Sequence, residues 1–132
     1  MSKKKKRISV ASAKSKARRL QNWTAEQISN LIGLPWGKDE MIAPREMGQP
    51  GVDVRLVGKA KKMFPFSVEC KWQEKWHILS WIKQAKENTY ANTDWMLVVK
   101  KNRHEPIIVL DAEVFFSILD KIKDKEIEKN DK

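Results

Sequence analysis

Two apolar alternations on either side of a short basic stretch constrain this chain more than any other feature. Val52, Val54 and Leu56 alternate with Asp53 and Arg55, while Phe64, Phe66, Val68 and Cys70 alternate with Pro65, Ser67, Glu69 and Lys71. A period of two marks strands with one buried face. Residues 58–62 include Gly58, Lys59, Lys61 and Lys62 and read as a basic turn, which makes the two runs a hairpin. Burying both apolar sets on one face requires paired residue numbers to add to an even total. With Val54 set against Val68, Asp53 lies directly opposite Glu69, and both carboxylates project from the face away from the core stripe. Lys71, two residues beyond Glu69, shares that face, so two acids and a lysine converge.

The flanking segments supply helices. In residues 12–32, Leu20, Trp23, Thr24, Gln27, Ile28 and Leu31 fall on one helical stripe, and Gly33 is placed to stop it. A short extended stretch follows at residues 41–44, and Met47, Gly48, Gln49, Pro50 and Gly51 break the chain before the hairpin. Ile78, Trp81, Ile82 and Ala85 mark a second helix over residues 78–88. Residues 95–99 and 106–110 are apolar strands joined by another basic turn, and Val114, Phe115, Ile118, Leu119 and Ile122 mark a closing helix over residues 112–123. The expected order is α, β, β, β, α, β, β, α, an α/β chain with a mostly antiparallel sheet.

At 132 residues the chain is sized for one domain. Its net charge of +10 is unevenly spread, because Lys3, Lys4, Lys5, Lys6, Arg7, Lys14, Lys16, Arg18 and Arg19 precede the first acid. Of the 27 Lys+Arg, 18 remain beyond residue 19 against all 17 Asp+Glu, so the body is nearly neutral. We divide the chain into a basic, flexible arm over residues 1–13, one domain over residues 14–123 and a charged tail over residues 124–132. No apolar run approaches the roughly 18–20 residues that span a bilayer, which excludes an integral membrane protein with helical spans. Lys14 cuts short the apolar stretch after Arg7 before a secretory signal can form. One cysteine, Cys70, leaves no intrachain disulfide framework, and two histidines without CxxC partners do not make the usual structural zinc site. A basic arm on a neutral body, in a reducing cytoplasmic setting, fits a nucleic-acid partner.

Two carboxylates held together repel by several kcal/mol unless a cation intervenes. Ligands that are all oxygen suit a hard cation, Mg²⁺ or Mn²⁺, which retains waters and accepts a phosphate oxygen. Such a metal activates water and stabilises charge on a phosphoryl group, and Lys71 beside it would orient the attacking water. The chemistry expected of this trio is phosphodiester hydrolysis. A solvated surface cluster is the plainer reading of the same three residues.

The run Met47-Gly48-Gln49-Pro50-Gly51-Val52-Asp53-Val54, then Phe64-Pro65-Phe66-Ser67-Val68-Glu69-Cys70-Lys71, then Gln84-Ala85 in the next helix, resembles the PD-(D/E)xK nuclease superfamily. Within it, the likeness is to small phage-type Holliday junction resolvases related to the archaeal resolvases, and it covers roughly residues 17–118. The resemblance implies a restriction-endonuclease-like αβββαβ core with a mixed, mostly antiparallel central sheet flanked by helices. It makes Asp53, Glu69 and Lys71 catalytic and places a metal on Asp53, Glu69 and the main-chain carbonyl of Cys70. It further implies two Mg²⁺ ions per active site, with Mn²⁺ as a substitute, and a homodimer that nicks branched DNA, a four-way junction, symmetrically during recombination or repair. Neither a membrane nor an organic small-molecule cofactor is implied. Val52 stands where the superfamily's name places a proline, and Gln21 aligns with a first-helix glutamate that reaches toward the metal in related resolvases.

Auxiliary roles fall to Gln21, Glu46 and Gln84. DNA contacts are assigned to the arm residues Lys3, Lys4, Lys5, Lys6 and Arg7, to Arg18, Arg19 and Arg45, and to Lys61, Lys62, Lys101 and Arg103 in the two turns. Trp72 is placed for stacking on an unpaired base, whereas Trp76 and Trp81 read as core or dimer-interface residues. Two other functions suit the sequence. One is a flap, nicking or end-processing nuclease with the same chemistry; the other is a non-catalytic DNA-binding recombination accessory protein.

Overall fold

The computed structural model describes residues 9–46 and 48–130. Helix α1 (Val10–Ile32) starts where the Ser9 hydroxyl accepts the Ser12 N–H at 3.1 Å. It ends at Gly33, whose φ of 72° lets its N–H reach the Ser29 carbonyl. Strands β1 (Ile42–Pro44) and β2 (Val54–Leu56) follow, then a short helix α2 (Gly58–Met63) and strand β3 (Phe66–Trp72). Helix α3 (Ile78–Glu87), strands β4 (Asp94–Lys100) and β5 (Ile107–Val109), and helix α4 (Ala112–Asn130) complete the chain.

The five strands form one sheet in the order β1-β2-β3-β4-β5. Neighbours are antiparallel except β3 and β4, which run parallel and are connected through α3. Setting aside the inserted α2, the elements from α1 to β4 give the αβββαβ order of a restriction-endonuclease-like fold, with a mixed, mostly antiparallel sheet.

Both faces of the sheet are covered. Leu20, Ala25 and Ile28 of α1 pack on Val54, Val68, Met96 and Val98. On the other face Trp81 of α3 packs on Leu97 and Val99, with Trp76 half-buried beside them. Residues 97–99 are therefore buried whichever way they point, which explains the uninterrupted apolar run of β4. Among the described residues, no helix is long and apolar enough to cross a membrane.

Four expectations are corrected. Residues 58–62 form α2 rather than a turn, because Ala60 is drawn into the core and a helix lets the lysines around it remain outside. The buried stripe of α1 is Leu20, Gln21, Thr24, Ala25 and Ile28, whereas Trp23, Gln27 and Leu31 are exposed. The two terminal helices are longer than expected, α1 starting at Val10 rather than at residue 12 and α4 running to Asn130 rather than to residue 123.

The fourth correction is the placement of Asp53. Val54 pairs with Val68, the register expected from the sequence, but the Asp53 N–H also reaches the Val68 carbonyl, at 2.9 Å. Two residues of one strand thus address one residue of the other, the arrangement of a β-bulge. Asp53 consequently does not sit squarely opposite Glu69. The bulge turns its side chain toward the edge of β3.

Candidate active site

The β2–β3 pairing ends at Val54 and Val68, and beyond that point the Asp53 side chain spans the gap. Its Oδ2 accepts the Cys70 N–H at 2.7 Å, while Oδ1 accepts Gln21 Nε2 at 3.2 Å and forms an ion pair with Arg45 Nη2 at 3.0 Å. Asp53 is only 5% exposed, so these donors replace the water that a surface carboxylate would keep. Arg45 is itself held by the Gly51 carbonyl at 3.2 Å, and its N–H bonds the Asp53 carbonyl at 2.8 Å.

Glu69, 3% exposed, points to the α3 side of the sheet, where Asn88 at the end of α3 donates from Nδ2 to Oε1 at 2.9 Å. Its carboxyl pKa is pushed up from 4.5 to about 7, first by burial and then by the negative charge of Asp53, with Asn88 and Lys71 acting in the opposite sense. A carboxylate pair with too little positive charge beside it behaves this way. Lys71, half-buried, emerges on the same side as Glu69. Among the described residues no carboxylate lies within 4.0 Å of its ammonium.

Cys70 faces the other way. Its thiol lies 3.7 Å from the Thr24 hydroxyl, and burial pushes its pKa well up, so it is neither a nucleophile nor a soft metal ligand. In extended backbone the N–H and C=O of one residue face the same edge. The Cys70 carbonyl is thus directed toward the edge where Asp53 holds the Cys70 amide. The available donors are two carboxylates and a carbonyl, all oxygen, and they suit a hard divalent cation that keeps part of its water. Among the described residues no three His, Cys, Asp or Glu side chains are placed together to hold a metal ion, so the carbonyl and water would complete such a site.

These groups open onto a cleft of about 470 Å³ lined by Gln21, Arg45, Asp53, Glu69 and Lys71, with Gln84 of α3 on its rim. Gln21 therefore lies where the alignment places it, and as a donor to Asp53 rather than an acid. Trp72 lines the same cleft, its Nε1–H donating to Asn102 Oδ1 at 2.8 Å. Arg19 lies 5.1 Å from the centre of the Trp72 ring. Arg45, assigned to DNA from sequence, is instead occupied by Asp53. Glu46 is exposed outside the cleft, as are Lys62 and Arg18, and Lys61 on α2 does not line it. Lys101 and Arg103 are exposed on either side of Asn102. Lys3, Lys4, Lys5, Lys6 and Arg7, with Met47 of the turn, lie outside the described residues.

Asn88 escapes sequence reasoning, since an Asn after a helix reads as an ordinary end signal. The turn residues do show themselves in the sequence: Gly51 has φ 106°, and a Cβ there would lie 2.9 Å from the Tyr90 hydroxyl.

A mixed sheet that brings a bulge aspartate, a strand glutamate and a lysine two residues on to one cleft has the architecture of a restriction-endonuclease-like protein. Over residues 14–131 the sequence matches the family described as "Phage putative PDDEXK endonuclease", and the chain belongs to that family and so to the PD-(D/E)xK superfamily. No curated protein and no solved structure matches it.

Proposed function

We propose that this protein is a divalent-metal-dependent DNA endonuclease that resolves four-way junctions by paired nicks, as a homodimer in the cytoplasm of a bacterial host. The observation that carries the reading is the convergence of two buried carboxylates, Asp53 and Glu69, with Lys71 in an open cleft. Family membership supports the nuclease chemistry. The sequence resemblance to junction resolvases supports the branched substrate.

In this mechanism Asp53, Glu69 and the Cys70 carbonyl would hold Mg²⁺, or Mn²⁺ in its place. When bound, the metal supplies Lewis-acid stabilisation of the phosphoryl group and activation of water. Two ions per site follow from the resemblance. Gln21 and Arg45 hold the Asp53 carboxylate in place, and Asn88 orients that of Glu69. Lys71 Nζ orients the attacking water and donates to the phosphate oxygen on which charge builds. Contacts to backbone rather than base edges make cutting tolerant of sequence. The basic arm, nine cations with no acid through residue 19, adds attraction that the nearly neutral body lacks.

Two symmetric nicks need two sites. Edge strand β5 leaves Ile107 and Ile108 exposed and helix α4 leaves Phe116 and Ile122 exposed, and a second copy is the partner we place against this apolar surface.

The test is cleavage of a synthetic four-way junction, a flap and a linear duplex, each with Mg²⁺ or EDTA. The junction is expected to be cut fastest, only with metal, and by Asp53→Asn not at all although binding survives. Cutting the flap as fast as the junction would leave a flap or end-processing nuclease. No cutting of any substrate would leave a DNA-binding accessory protein.

A further inference from the structure

Trp72 stands one residue beyond Lys71, and three cations from two other elements surround its ring. Lys100 Nζ lies 4.6 Å from the ring centroid, the Arg19 guanidinium carbon 5.1 Å and Lys16 Nζ 6.0 Å. Lys16 and Arg19 are three apart on α1 and so share a face. Lys100 is the Cα partner of Trp72 across the β3–β4 pair, which puts its side chain on the same side of the sheet. The ring is fixed by its hydrogen bond to Asn102, whose own N–H is held by Glu74 Oε2 at 2.8 Å.

Among the described residues none of the three cations has a carboxylate within 4.0 Å. Lys100 donates to the His104 carbonyl at 2.6 Å and to the Lys101 carbonyl at 3.4 Å, interactions that orient the ammonium but leave its charge uncompensated. An acid at position 72 would gather the same cations and cancel one of them. An indole gathers them through its negative face and cancels none. The result is a preassembled cluster of positive charge beside the cleft that Trp72 and Lys16 line together with Asp53 and Glu69.

We propose that Lys16, Arg19 and Lys100, organised by Trp72, form a binding site for a backbone phosphate of DNA flanking the scissile one. The proposal rests on the nuclease reading above and assigns Trp72 a different task from base stacking. With its ring beside three cations and its N–H taken by Asn102, Trp72 serves as a positioning residue, and the cations bind the phosphate. Such an anchor fixes where the strand crosses the carboxylates without reading its sequence.

The discriminating measurement is the salt dependence of DNA binding by the full-length protein, with a four-way junction and a matched duplex in Ca²⁺ buffer. Trp72→Ala removes no charge, yet it is expected to flatten the slope of log K against log [salt] by about 0.9 for each phosphate that the cluster ceases to neutralise. Over a fourfold rise in salt, wild-type affinity should then fall about threefold more than that of the variant. The double variant Lys16→Gln/Arg19→Gln, altered at helix surface positions, should flatten the slope likewise and keeps the test open if Trp72→Ala does not fold.

A weaker Trp72→Ala complex with an unchanged slope, and a deficit that disappears on DNA with an abasic site opposite the cleft, would mean base stacking and overturn the proposal. A double variant with the wild-type slope would overturn it as well. Cleavage in Mg²⁺ is read in parallel. Cutting with unchanged slopes sinks the phosphate site and spares the nuclease, whereas flattened slopes without cutting sink the nuclease and spare the site.

Discussion

The Cys70 N–H donates to Asp53 Oδ2 at 2.7 Å, at the point where the β2–β3 pairing has ended. A side-chain carboxylate thus occupies a place at the sheet edge that a backbone carbonyl would otherwise take. This one bond sets the geometry of the site. It holds Asp53 against the strand that carries Glu69 and Lys71, and it satisfies a buried amide that the fork in the sheet would leave without an acceptor. Charge balance around that carboxylate and its neighbour gives the following expectations.

Glu69 should make the metal-free protein less stable as pH rises. Its folded-state pKa of about 7 lies above the ordinary 4.5, so the folded protein binds the proton more tightly than the unfolded chain. The contribution is whole below about pH 4.5 and is lost as pH climbs through 7, up to roughly 3 kcal/mol in all. Urea unfolding in EDTA should show wild type losing stability relative to Glu69→Gln between pH 5 and 8. Parallel curves would mean that Glu69 ionises normally.

Arg45→Met should destabilise the metal-free protein by about 1–2 kcal/mol. The change leaves a buried carboxylate without its cation, but the Arg45 side chain is 34% exposed, so water screens part of the loss that a fully buried pair would suffer. Mg²⁺ should narrow the gap between variant and wild type in thermal unfolding, since it restores charge at Asp53. A gap of equal size with and without Mg²⁺ would count against a metal at this carboxylate.

Asn88→Ala should move the acid limb of the pH–cleavage profile upward by roughly one pH unit, because it removes a hydrogen bond that favours ionised Glu69. Asn88→Asp, which adds a charge instead, should move it further. An unmoved profile in both variants would make Asn88 a helix cap and nothing more.

Gly51→Ala should cost about 1–3 kcal/mol, for a φ of 106° strains any residue with a side chain and the new methyl would meet the Tyr90 hydroxyl. In a Tyr90→Phe background the steric part should be recovered and the backbone part should remain. Calorimetry of the two single variants and the double separates them. Purely additive losses would show that the methyl and the hydroxyl do not meet.

The alternation of residues 52–56 and 64–70 determined, without any structure, that the two strands pair residues of even sum, as Val54 and Val68 do, and that Glu69 and Lys71 share a face, because side-chain direction along a strand has a period of two. Local chemistry likewise fixed the stop at Gly33 and the two later helices. The tertiary structure decided what depends on contacts distant in the chain. The bulge that re-aims Asp53 answers to the strands on both sides of it, and the burial of Ala60 turned a basic turn into a helix. Arg45 reaches Asp53 rather than solvent, and Asn88 reaches Glu69 across 19 positions, as Gln21 reaches Asp53 across 32. No periodicity encodes such meetings. They arise where the sheet forks and buried polar groups must find partners, and that is also where the carboxylates and the lysine converge.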